Sequence, residues 1–173
     1  MKIWKPNSKN KYPDIDAFLS QEDISLDQEL FLYDIAASIA HADELKKIKI
    51  LNTGETKEIK ASLKTLGKLF TENKYTLKKK YEDSHSAIED FLVKDLGDLG
   101  KKIHTGRSRN DQVLVAMRLY TREYLERILD LNLKISKTFL AKAMNHASDP
   151  MPGYTHLQRA VPSSWGLWFG AYA

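Results

Sequence analysis

The chain contains no cysteine, which excludes disulfide staples and thiolate metal sites and fits a reducing compartment. No apolar run approaches membrane-spanning length. The opening Met1-Lys-Ile-Trp-Lys-Pro6 lacks the apolar core of a signal peptide. The expectation is a cytoplasmic protein with no membrane partner. Also missing is a basic stripe interleaved with aromatics. Basic residues are dispersed, and the one run, Lys78-Lys79-Lys80, reads as a solvated helix face. Nucleic acid is therefore not expected as a partner. No His, Asp or Glu spacing of a metal site is visible, so no metal is expected.

What is present describes an ordinary globular chain. Its 173 residues are 42% hydrophobic and 29% charged, with a formal net charge of +4. That length accommodates one domain with a sizeable core, or one domain and part of another.

The chain is organised around His104-Thr-Gly-Arg-Ser-Arg-Asn-Asp-Gln-Val113, which leads without a break into a long helical pattern. A helix N-terminus offers unpaired N–H groups and the positive end of the macrodipole, a ready anion site. Arg107 and Arg109 add charge-assisted, bidentate carboxylate recognition. Ser108 and Asn110 are both good N-cap residues and could equally donate to a ligand. The residue chemistry predicts a pocket for a small acidic ligand, against the plainer reading of a capped helix with solvated arginines.

Around this stretch the periodicity is helical. Pro6 and Pro13 mark residues 1–20 as an irregular arm. From Asp27, Leu30, Ile35, Ile39, Ala42 and Leu45 recur at helical spacing, with Asp27 or Ser25 as cap. A second helix is expected over 58–77, with Leu63, Leu66, Leu69 and Phe70 inward. Asp83 or Ser84 can cap a third, and Ser86 to Glu89 has the capping-box form. Val113, Met117, Tyr120, Tyr124, Ile128, Leu131 and Ile135 form one stripe of a helix over about 111–145, roughly 50 Å long. Leu114, Leu125, Leu129, Leu133 and Leu140 give it a second apolar face, so it needs partners on both sides. Pro150 and Pro152 stop it. Pro162 sits where a further helix would begin, and Trp165, Trp168, Phe169 and Tyr172 form its aromatic stripe. That stripe ends with the chain at Ala173, and the sequence reads as unfinished, unless the terminal helix self-associates.

Thr-Gly-Arg-Ser-Arg-Asn-Asp-Gln, 105–112, resembles the signature loop of argininosuccinate lyases, within the fumarase/aspartase superfamily. Three other elements are similar to the same family: Asp34-Ile-Ala-Ala-Ser-Ile-Ala-His41-Ala, Glu82-Asp-Ser-His-Ser-Ala-Ile-Glu89, and Gly153-Tyr-Thr-His-Leu-Gln-Arg-Ala160. The resemblance runs from about Asp23 to the end of the chain and covers only the N-terminal portion of a family member. It implies an all-α fold: a helical domain over 1–110, including the arm, then over 111–173 the start of a central helical bundle.

The implied reaction is the reversible β-elimination of argininosuccinate to arginine and fumarate, a C–N lyase step of arginine biosynthesis, in a homotetramer and with no cofactor. By resemblance, Ser108, Arg109 and Asn110 bind substrate, Thr155 binds a substrate carboxylate and His156 takes part in proton transfer. Asp27 falls where the family has an aspartate that holds the amino-acid end of the arginine moiety, and Asp23 where it has a serine. His85 is placed near the substrate, whereas in isolation it would be a structural histidine. His41, among alanines, is expected to be a packed or surface residue. The family's mobile Gly-Ser-Ser loop, which carries the favoured catalytic base, has no counterpart here, so the chain alone is expected to be inactive. Two other readings stand beside this one: another fumarate-releasing lyase of the superfamily, and a non-catalytic protein on the same scaffold, like the δ-crystallins.

Overall fold

The computed structural model describes residues 22–78 and 81–173; the arm, Lys79 and Lys80 lie outside them, as does the side chain of Asp23. Among the described residues six helices and one hairpin follow in order: α1 (Asp23–Lys47), α2 (Thr53–Thr71), α3 (Ser84–Leu96), α4 (Asp98–Lys101), a 3-10 turn (Lys102–His104), α5 (Arg109–Asn145), β1 (Pro150–Thr155), β2 (Gln158–Ser164) and α6 (Trp165–Gly170). The chain is thus essentially all-α. Among the described residues no helix is long and apolar enough to cross a membrane. The contacts define two compact units, 1–120 and 121–173, with α5 running from the first into the second.

In the first unit, α1, α2 and α3 pack on one another. Phe31, Ile35, Ala42 and Leu45 of α1 meet Ile59, Leu63 and Leu66 of α2 and Ala87, Ile88 and Leu92 of α3. Phe31 stacks on Tyr75 and tilts against Phe70. Burying such a side chain contributes about 1.5–3 kcal/mol, and these residues hold the functional elements in place.

Two of the first three helix starts differ from the sequence reading, and the third falls on one of its two expected caps. α1 begins at Asp23, so Asp27 lies inside it and does not cap it. α2 begins earlier than expected because Asn52 and Glu55 form a reciprocal capping box. It ends at Thr71, where Asn73 adopts a left-handed φ of 56°. α3 is capped by Asp83, whose side chain accepts from the Ser86 N–H at 2.8 Å.

In the second unit, residues 150–164 form an antiparallel hairpin. Pro162 pairs with Pro152 in it and does not start a helix. α6 begins at Trp165 because the Ser164 hydroxyl accepts from the Leu167 N–H at 3.0 Å. Gly166 lets α6 close on the end of α5: a Cβ there would lie 2.5 Å from the Ala147 Cα. Phe169 and Tyr172 then reach Phe139, while Trp165, Trp168 and Tyr172 stay largely exposed.

Candidate active site

The site of the first unit grows from one face of α1. Asp27, Phe31, Asp34 and Ser38 recur at four, three and four residues, so a single helical stripe carries two carboxylates and a hydroxyl among core side chains. Asp34 and Ser38 are fully buried. The N-terminus of α3 lands on this stripe. The Ser84 N–H donates to the Asp27 carboxylate at 2.7 Å, and the Ser84 hydroxyl donates to Asp34 at 3.3 Å. Asp27 therefore satisfies a donor at the start of α3, and Ser84 is a polar joint in the fold. His85 Nδ1 lies 2.5 Å from the same Asp34 oxygen.

The signature loop is fastened to the same face. Arg107 is turned inward: its guanidinium donates to the Ser38 hydroxyl and to the Ile103 carbonyl, both at 3.2 Å. It is thus placed to anchor the loop. His41 Nε2 lies 3.0 Å from the Thr105 carbonyl, a second tie. Gly106 takes a left-handed φ of 73° at the turn. At the helix start Ser108 and Asp111 cap each other. The Ser108 N–H and hydroxyl both donate to Asp111 at 2.8 Å, and the Ser108 oxygen accepts from the Asp111 N–H at 3.3 Å. Asn110, the other candidate cap, sits exposed in the first turn of α5.

Arg109 reaches back to α3. Its guanidinium pairs with Glu82 at 2.7 Å and Asp83 at 3.2 Å and donates to the Ser86 hydroxyl at 2.9 Å. A guanidinium has five donors, so this clamp fixes the group and leaves capacity for a ligand. His85, Ser86, Glu89, His104, Arg109 and Gln112 line a small cleft beside it. Gln112 is buried, and its Oε1 has no hydrogen-bond partner among the described residues.

The electrostatics follow from burial and these pairs. Burial opposes the His85 imidazolium, but the Asp34 hydrogen bond and the charges of Asp34, Asp83 and Asp27 outweigh it, and its pKa is raised. Burial raises the Asp27 pKa despite its bond to Ser84. Burial lowers the Arg107 pKa against the attraction of Asp34. Arg109 is pushed up: the Glu82 bond and the neighbouring carboxylates overcome its burial.

Asp27, His85, Ser108, Arg109 and Asn110 thus belong to one unit and one neighbourhood of α1, α3 and α5. Thr155 and His156 belong to the other. They occupy the exposed tip of the hairpin, where Thr155 pairs with Gln158. His156 and Leu157 adopt φ of 48° and 64°, the two positive angles of a type I′ turn. Such angles are unfavourable for a leucine, and strain of this kind collects at functional loops. Asp34 was missed by the sequence reading. The signal was there, since an acidic residue fell in phase with the helical stripe that also carries Phe31.

Residues 10–173 match the family model described as lyase, and the chain belongs to that family of lyases. It is 48% identical over 159 residues to an argininosuccinate lyase of Stenotrophomonas maltophilia (strain R551-3), covering 92% of this chain. It is 50% identical, also over 159 residues, to an argininosuccinate lyase of Xanthomonas euvesicatoria pv. vesicatoria (strain 85-10). The chain spans 37% of the length of each of these relatives. Among solved structures it is similar to an EDDS lyase variant with bound fumarate, at a TM-score of 0.71 and 26% identity, over 84% of this chain and 28% of that one.

Proposed function

We propose that the protein is an argininosuccinate lyase, which splits argininosuccinate reversibly into arginine and fumarate as a step of arginine biosynthesis, and works as a cytoplasmic homotetramer. The observation that carries this reading is the near-half identity of almost the whole chain to argininosuccinate lyases, together with the Arg-Ser-Arg-Asn-Asp wording of the loop. The fumarate bound by the similar EDDS lyase supports the reaction class.

The reaction needs a base at the carbon beside a carboxylate and an acid at the departing guanidinium. Between these steps a doubly negative aci-carboxylate must be stabilised by fixed donors. The start of α5 offers backbone N–H groups with Ser108, Arg109 and Asn110 beside them, and Arg109 is held rigidly by Glu82, Asp83 and Ser86. That rigidity favours stabilisation of developing charge, because no reorganisation is needed when the charge appears. Thr155 binds a second carboxylate, and His156, at an exposed turn, transfers a proton. Asp27 holds the ammonium end of the arginine moiety. The cleft beside His85 is about 30 Å³, room for about one water, so a complete substrate pocket requires further elements.

The test is His156→Asn in the product of the complete reading frame that encodes this chain. General acid–base loss predicts a fall in kcat of about 10²–10⁴, with a smaller change in KM. A kcat unchanged within a factor of two removes His156 from the mechanism.

A further inference from the structure

We propose that Asp34 is a positioning residue for His85: from beneath the cleft its carboxylate takes the Nδ1 proton and thereby makes Nε2 the nitrogen that meets a ligand. Asp34 is 0% exposed in the middle of α1, and His85 is 7% exposed at the start of α3. A carboxylate held in a core is expensive, and an apolar residue of similar size is often better tolerated there. Here the carboxylate has a defined use. One oxygen faces both His85 Nδ1 at 2.5 Å and the Ser84 hydroxyl at 3.3 Å; the other has no partner among the described residues. An ionised carboxylate only accepts, so Nδ1 carries the proton in this pair. The ring lines the cleft with Arg109 and Gln112, and no described residue bonds to its Nε2. A neutral His85 thus presents a lone pair to the cleft, and a protonated one presents a donor suited to a carboxylate.

Charged and titratable groups surround this ring: Asp34 and Asp27 of α1 and Asp83 at the α3 cap act on it directly, Glu89 of α3, His104 of the 3-10 turn and Arg109 of α5 line the same cleft, and Arg107 of the loop faces Asp34. Asp34 alone among them bonds to the ring. The Asp34 hydrogen bond and the charges of Asp34, Asp83 and Asp27 favour the imidazolium over the neutral ring, against burial. The orientation makes His85 a switchable acceptor or donor whose second nitrogen is spoken for.

That His85 serves a ligand rests on the lyase reading; the test of its tautomer does not. Long-range proton–nitrogen NMR of the 173-residue chain, with His85 assigned by its loss in His85→Gln, reads the protonated nitrogen directly. The expected result is a neutral ring protonated at Nδ1 and a titration above that of free histidine. In Asp34→Asn with unchanged helical circular dichroism, the tautomer should redistribute toward Nε2–H and the titration should fall. A neutral His85 protonated at Nε2 in the unsubstituted chain overturns the proposal. So does a folded Asp34→Asn with neither property changed. If that variant does not fold, the unsubstituted spectrum decides alone. No outcome depends on turnover, so failure of the lyase reading would appear separately, as a full-length product that releases no fumarate.

Discussion

Replacing Gly100 by alanine puts a methyl group where the backbone of α3 already is. A Cβ at this position would lie 2.4 Å from the Leu92 carbonyl oxygen, 2.5 Å from its carbon and 2.7 Å from the Val93 nitrogen. Each separation falls about 1 Å short of comfortable contact, and all three atoms are backbone, so no side chain can yield. α4 must shift away from α3, and it carries with it the 3-10 turn, buried Ile103 and the Arg107 tether. Against backbone that cannot yield, overpacking costs the upper part of its usual range, about 2–3 kcal/mol. Alanine would gain about 1 kcal/mol of helix propensity over glycine, so without the clash the variant would be more stable than the parent. The sign is therefore diagnostic. For a domain of this size the net loss corresponds to a Tm lower by roughly 2–8 °C, read by thermal unfolding followed by circular dichroism. Gly106→Ala is the contrasting case: φ is 73° but nothing lies within 4 Å, so its cost is conformational, about 1–2 kcal/mol. A Gly100→Ala chain as stable as the parent, or more so, refutes the close approach of α4 and α3.

Three further outcomes are expected. Arg109→Gln releases Glu82 and Asp83; with the guanidinium 30% exposed, the loss should be about 1–2 kcal/mol, smaller at high salt, by denaturant titration. A raised His85 pKa stabilises the fold fully below its unfolded value of about 6.5, and that contribution is lost as pH rises through the folded value. The parent should therefore lose stability above about pH 6.5 by a margin that His85→Gln does not show, and identical pH profiles would count against the pair. Asn52→Ala removes the α2 capping box and should cost about 1 kcal/mol, measured as a shift in denaturation midpoint with unchanged slope.

The helices were legible in the sequence because their apolar spacing is regular, and their ends were not, because caps are single side chains. The second helix, expected from 58, starts earlier because the single side chain of Asn52 caps it. Asp27 read as the cap of its own helix and instead bonds to the start of another, 57 residues away, a partnership no local pattern contains. The signature loop was visible as a helix N-terminus with two arginines, but the division between them was not: Arg107 turns into the core toward Ser38 while Arg109 turns to Glu82. That choice depends on which face of α1 lies beneath, a tertiary fact. The hairpin at 150–164 hid behind its prolines, which usually argue against strands. In a two-stranded ribbon every strand is an edge, and Pro152 opposite Pro162 is tolerated.

The most direct measurement is fumarate release by the product of the complete reading frame, offered argininosuccinate and, separately, adenylosuccinate. The expected result is turnover of argininosuccinate, little of adenylosuccinate, and none of either by the 173-residue chain alone. A folded full-length product that leaves argininosuccinate untouched would contradict it, and the non-catalytic reading of the same scaffold would take its place.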